Sequence, residues 1–338
     1  MWAYVVRRCL IGVILILAMT LVTFALFFAT PIDAARYACG KNCSEEQRNI
    51  TRAALGYDKP VVEQWAGFIQ GLFVGRDFPL DESQREAAPD QVTHCGAPCL
   101  GYSSFNAKTI NELVADALPV TVSLAIVALV LWLIGGVLFG IMAAINQGSF
   151  LDRGIVGATL VIYAFPSFAI AVFLLNYVAI KWGVFPYPKY TEIADGGVFE
   201  WFGNLLLPAV TLALLFLAGY VRMTRAFVLE SLTEDYIRTA NAKGLSQGKV
   251  VFKHALRAAL TPLVTMAGLD FATLLGGAII TERVFNYPGL GLLTIQANAA
   301  SDLPVMVGVV LLAGSFVILA NIIVDVLYAV IDPRVRVA

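Results

Sequence analysis

Residues 234–260 read EDYIRTANAKGLSQGKVVFKHALRAAL, a basic strip set between two strongly apolar stretches. The chain around it has 338 residues, 59% of them hydrophobic and only 14% charged. Soluble domains carry about a quarter charged residues, so this composition defines an integral membrane protein. The strip is the longest segment of the C-terminal two thirds that cannot sit inside a hydrocarbon layer.

Working outward from it, runs of roughly 17 to 28 apolar residues occur at about 9–28, 118–145, 155–180, 205–221, 263–280 and 305–324, each long enough to cross about 30 Å of hydrocarbon as a helix. The runs lack the alternation of barrel strands, and backbone groups in lipid must be satisfied internally, so helices are expected. Arg7 and Arg8 before the first run also suit a signal peptide, but about 20 apolar residues is long for that, and no small-x-small cleavage site precedes Pro31. A retained helix is the expectation.

Short-loop charge sets the orientation. With the N-terminus inside, the cytoplasmic segments hold Arg7, Arg8 and Arg153, the bases from Arg222 to Arg257, and Arg334 and Arg336, against Lys181, Lys189 and Arg283 outside. Both termini and the strip are therefore expected in the cytoplasm. The segment 31–116 then lies outside, with acids exceeding bases by about four. The expected organisation is an N-terminal helix at 1–30, an external domain at 31–116, a five-helix core at 117–331 containing the 234–260 strip, and a tail at 332–338.

Cys39, Cys43, Cys95 and Cys99 form two C-x3-C pairs in the external segment. His94 beside Cys95 admits a metal site, but two disulfides in an oxidising compartment are the favoured reading, with three connectivities left open. Pairing between the clusters would close a loop worth about 4 kcal/mol in the chain-entropy model.

The strip has the grammar of two short helices. Glu234 and Asp235 suit a helix start, Lys243 a helix end, Gly244 a left-handed cap, and Ser246 the cap of a second helix. Small residues at Ala240, Ala242 and Gly244 would let another protein approach closely, while a basic amphipathic hairpin lying on anionic lipid is the plainer alternative.

Within the apolar runs, ionisable and helix-breaking residues are candidates for function. Asp270 either lines a path or is an internally hydrogen-bonded structural carboxyl. Asn176 suits interhelical bonding, Pro166 a kink that opens a cavity or only serves packing, and Gly276, Gly277 and Glu282 a close-packed outer end followed by the turn FNYPGLG at 285–291, a gate at the outer mouth or a plain structural turn. With Asp270 these are the candidates for the translocation path or its gate. Catalytic motifs are absent from the sequence. The Gly-Lys pairs Gly40-Lys41 and Gly248-Lys249 lack the rest of a phosphate-binding P-loop, and His94 and His254 are expected on opposite sides of the membrane.

The segment DYIRTANAKGLSQGKVVFKHALRAALTP resembles the EAA loop of ABC importer permeases, in the form used by the peptide/nickel transporter family. Ala240, Gly244 and Leu256 match that loop's pattern, whereas Arg238, Thr239, His254 and Arg257 depart from it in the manner of the peptide branch. The stretches LGYDKPVVEQW, LPVTVSLAIVALVLWLIGGVLFGIMAAINQGSFLDR, GGAIITERVFNYPGLG and NIIVDVLYAVIDPRVRV resemble dipeptide and oligopeptide permease B subunits, so the likeness covers nearly the whole chain. The cysteine pairs and residues 81–100 fall outside it.

The resemblance implies an all-α type I ABC importer permease fold with six transmembrane helices in a bacterial plasma membrane. It implies a coupling helix carrying Asp235, Tyr236, Arg238, Thr239, Ala240, Ala242, Lys243 and Gly244, with His254 behind it. The implied partners are a second permease, two ATPase subunits that bind ATP and Mg, an external solute-binding protein and a peptide cargo; no nucleic acid and no cofactor on this chain are expected. The same machine carrying nickel, glutathione or an oligosaccharide is the nearest alternative. An ion-coupled carrier using Asp270 or Glu282 is the rival from another class.

Overall fold

The computed structural model describes residues 2–29, 34–39 and 43–331; the expected tail at 332–338 lies outside the described residues. Helices dominate. Four of them are long and apolar enough to cross a membrane, Val6–Leu26, Ile110–Ile145, Ile193–Leu232 and Leu303–Ile323, and the number rises to six if two bent pairs each count as one span. The chain divides into two compact units, Thr121–Tyr287 with Ala320–Ala338, and Trp2–Val120 with Pro288–Leu319.

In the second of these, the long helix Trp2–Ala29 is followed by the short helices Ala34–Cys39, Glu45–Ala54 and Val61–Val74. Ser44 starts Glu45–Ala54 through a capping box, accepting from the Gln47 amide while the Gln47 side chain accepts from the Ser44 amide. Two antiparallel ribbons add strands to an otherwise helical chain: Arg76–Phe78 with Thr93–Cys95, and Tyr102–Ser103 with Lys108–Thr109. Each cysteine pair closes on itself, Cys39 to Cys43 and Cys95 to Cys99. The long-loop stabilisation open to cross-pairing therefore does not arise, because a bond between residues four apart removes less chain entropy than one across a long loop. Phe78, Cys95 and Cys99 form a small buried cluster, and Ile110, Val114 and Ala117 pack with Leu290, Ala297, Val305 and Val309 in a larger one.

The helix Ile110–Ile145 begins eight residues before the apolar run at Leu118, taking in Glu112 and Asp116 as a polar first stretch. Hydropathy marks where a helix enters lipid, not where it starts.

In the other unit, Ser149 caps the helix Phe150–Ala164. Phe165 is extended and Pro166 opens the next segment, so the expected single span 155–180 is bent by 97° at Pro166. Proline removes a hydrogen bond and biases the residue before it away from helix, which suffices for the break. The helix Ile193–Leu232 packs against Phe150–Ala164 and Leu256–Leu275. Helix Leu256–Leu275 stops five residues short of the expected end at 280.

Candidate functional site

The strip 234–260 folds as the helix Asp235–Ala242, a turn, and a second helical segment starting at Gln247 that continues through Val250–Ala255 into Leu256–Leu275. Glu234 is the extended residue before the first helix, and Asp235 supplies negative charge in its first turn. The end is a Schellman motif: the Leu245 amide donates to the Ala240 carbonyl (3.4 Å) and the Gly244 amide to Asn241 (2.9 Å), with Gly244 at φ +74°. Residues with a Cβ disfavour that conformation, so the glycine is required by the turn. Ser246 occupies the expected cap position with extended backbone, but its side chain makes no capping bond.

The helix has two faces. Ile237 and Ala240 are buried against Ile141, Ala144, Val228, Val250, Val251, Ala255 and Ala259. Asp235, Tyr236, Arg238, Thr239, Asn241, Ala242, Lys243 and Gly244 are exposed. This corrects the expectation for Ala240: its small side chain brings the helix close to its own chain, because it lies three residues from Ile237 on the inward face. His254 is half-buried on the following segment. Tyr236, Leu245 and Phe252 leave apolar surface open beside the charged residues.

An ion pair stands close to the strip in the sequence. Arg225, ten residues before Asp235, donates from Nε and Nη2 to the two Asp152 oxygens, both at 2.8 Å. The Gly148 amide donates to Asp152 Oδ2 at 2.9 Å. The pair ties the start of Phe150–Ala164 to Ile193–Leu232. Sequence reasoning counted Arg225 only as an inside charge; the acid between Ser149 and Arg153 was the signal available.

The intramembrane candidates separate. Asp270 accepts a hydrogen bond from the Tyr220 hydroxyl at 2.6 Å, which realises the internally bonded alternative. Glu282 is fully buried and accepts from Thr121 Oγ1 (2.8 Å) and from the Ala278 amide (3.3 Å). Asn176 is exposed and donates to its own helix at Val172 (3.1 Å). Gly276 and Gly277 end a helix, and Gly277 takes φ +115°, so this pair serves a turn.

Close approach belongs instead to Gly136 and Gly140, a GxxxG pair that sequence reasoning passed over. A Cβ on Gly136 would lie 2.5 Å from Tyr220 Cβ, and one on Gly140 would lie 2.5 Å from Thr224 Cβ and 2.9 Å from the Val221 carbonyl. His94, the candidate metal ligand, instead contacts Asp77 at 2.6 Å, and the neighbouring sulfurs are bonded to each other.

The family described as "Binding-protein-dependent transport system inner membrane component" matches residues 136–337, and its N-terminal companion matches residues 1–125. A "putative peptide transport system permease protein" of Brucella abortus is 34% identical over 339 residues, covering 99% of each chain. The "dipeptide transport system permease protein DppB" of Escherichia coli is 33% identical over 359 residues, again covering 99% of each. A solved chain of the MetNI methionine ABC transporter, in an inward-facing conformation, aligns with TM-score 0.51 and 19% identity over 66% of this chain and 97% of that one, a likeness of fold. The chain belongs to the family of binding-protein-dependent transport system inner membrane components. It is a multi-pass permease subunit of an ABC importer, the non-catalytic membrane component of such a system.

Proposed function

We propose that this chain is one of two membrane-spanning subunits of an ATP-driven importer of dipeptides or oligopeptides, coupled to its ATPase through the helix Asp235–Ala242. The peptide cargo rests on the relatives named above, which match the chain end to end. The coupling role rests on the two-faced helix, whose inward face is anchored by Ile237 and Ala240 while Tyr236 and Arg238 stay exposed. Tyr and Arg are enriched among the residues that carry binding energy at protein interfaces.

The strip faces the cytoplasm, where it docks in a groove of one of two ATPase subunits that bind ATP and Mg. Closure of the ATPases pushes the helix, and its anchored face transmits the push to the core around Val228 and Ile141. The second permease completes the path. An external solute-binding protein delivers the peptide, and the segment 31–116 lies on the side that meets it. Within the core, the bend at Pro166 and the exposed Asn176 belong to the wall facing the second permease, whereas Glu282 and Asp270 shape the fold around the path through their internal bonds.

The test is uptake of a labelled tripeptide into proteoliposomes holding the complete complex. Proline in place of Gly244 forces φ negative where the turn needs +74°, so Gly244→Pro is expected to abolish ATP-driven uptake with the membrane helices still folded. Uptake that proceeds without ATP would overturn the reading.

A further inference from the structure

A cavity of about 210 Å³ lies between the helix Val61–Val74, the end of Trp2–Ala29, the first residues of Leu303–Ile331 and the strand Arg76–Phe78. The family-like stretch LGYDKPVVEQW supplies part of its wall, from Leu55 to Gln64. Neither the coupling role nor the path uses it.

Its polar interior is unbalanced. Lys59 and Glu63 pair with each other at 3.6 Å. Arg76 has no carboxylate partner among the described residues, and its Nε is buried without any hydrogen bond. Its guanidinium lies 5.5 Å from the ring centres of Phe68 and Phe78, and Nη2 reaches only the Cys99 carbonyl, at 3.5 Å. Gly71 is required beside it, since a Cβ there would collide with the Arg76 side chain. Burial pulls the guanidinium down to about 10, so it is still a cation at neutral pH. A half-buried cation with two aromatic faces and one long carbonyl contact, but no carboxylate, calls for an anion.

The surroundings are lipid-like. Trp65 donates from its indole to Thr20 at 2.9 Å, and Phe24 packs on Phe68 at 5.2 Å. Thr20 lies six residues inside the end of the apolar span Val6–Leu26, about 9 Å along a helix. The helix Val61–Val74 thus packs beside a stretch of that span and leaves Val62, Phe73 and Val74 exposed, an apolar surface suited to the edge of a bilayer. Pockets that enclose a whole small molecule run to about 300–1,000 Å³, so this one fits a headgroup whose tail continues outside.

We propose that the cavity binds a membrane phospholipid, the phosphate diester on Arg76 and the first acyl carbons along Phe24, Phe68 and Val307. Arg offers a planar donor fork matched to phosphate oxygens, and the apolar wall leads from it to the bilayer.

The full transporter complex, stripped of lipid in detergent, is incubated with phosphatidylglycerol, with diacylglycerol of the same chains, or with glycerol 3-phosphate, and the retained molecules are counted by native mass spectrometry. Phosphatidylglycerol is expected to stay bound and the other two to wash off. Arg76→Gln should lower retention at least tenfold. Val307→Phe, which fills the apolar wall while leaving the charge, should also lower it and serves where Arg76→Gln does not fold. Equal retention by wild type and the folded variants would overturn the proposal. So would binding of glycerol 3-phosphate as tight as that of the lipid, which marks a free-anion site, or displacement of the lipid by a tripeptide, which marks a cargo site.

Discussion

The inward side of the short helix Ile279–Phe285, which carries Glu282, and the exposed side of the helix Asp235–Ala242 treat their polar groups in opposite ways. Glu282 has Thr121 and the Ala278 amide as partners within the chain, and it is sealed from solvent. On the helix Asp235–Ala242, the side chains of Asp235 and Arg238 pair with each other at 3.3 Å and with no other charged group among the described residues, and most of both lies in solvent. Polar groups that find partners inside the chain hold its shape, and those left open await something the chain does not contain. Arg76 belongs to the second kind despite its depth, which is why it points to a ligand.

The sharpest way to break this distinction is at Glu282. Leucine there would remove the acceptor that Thr121 and the Ala278 amide share, at a cost of about 1–3 kcal/mol, so Glu282→Leu should lower the thermal unfolding point of the purified complex more than any surface change. Glu282→Gln keeps an acceptor oxygen and should retain most of the stability. A Glu282→Gln protein that is stable but requires a proton gradient for uptake would move this residue from shape to chemistry.

Next in size is Gly140→Ala. The new methyl would meet the Val221 carbonyl as well as the Thr224 side chain, and backbone cannot rotate away, so a cost of about 1–3 kcal/mol is expected in the same unfolding assay. Gly136→Ala should behave alike, whereas Gly154→Ala, which meets nothing within 4 Å, should be silent.

A smaller effect is expected at Asp302, outside the apolar spans. Burial raises its carboxyl above the usual range, with bonds from Ser103 and the Val305 amide opposing the rise. The fold thus binds the proton more tightly than the unfolded chain, so stability is fullest below the ordinary carboxylate value and declines as pH climbs through the raised one. Asp302→Asn should flatten that decline; an unchanged slope would show that other groups carry it.

Local rules made a good part of this structure legible. The apolar runs located four helices long enough to span and two bent pairs, Gly244 announced its turn, and Pro166 announced a break, because each acts on its immediate neighbours. What stayed hidden was long-range. Thr121 and Glu282 are 161 residues apart, and Arg225 and Asp152 are 73 apart, and no spacing rule joins them. The inward face of Asp235–Ala242 was hidden for a related reason: Ala240 fits a partner protein or its own core equally well, and only the packed cluster around Val228 decides. The cysteine pairs were ambiguous because three connectivities satisfy the same sequence.

The smallest expected change in stability, and the one that bears most on function, is Arg238→Glu. Its one ion pair among the described residues is with Asp235 on the same exposed face, so reversing the charge should leave the unfolding point close to where it was. The effect is expected elsewhere. An arginine that serves a docking surface is missed by the partner, so ATP hydrolysis by the assembled complex should lose its stimulation by loaded binding protein, and uptake should fall with it. Ile237→Ala provides the control from the opposite face: it cuts into the packed cluster and should weaken the fold before it weakens coupling. If Arg238→Glu left both hydrolysis and uptake intact, the exposed face would be a solvated surface and the helix would owe its place to its inward side alone.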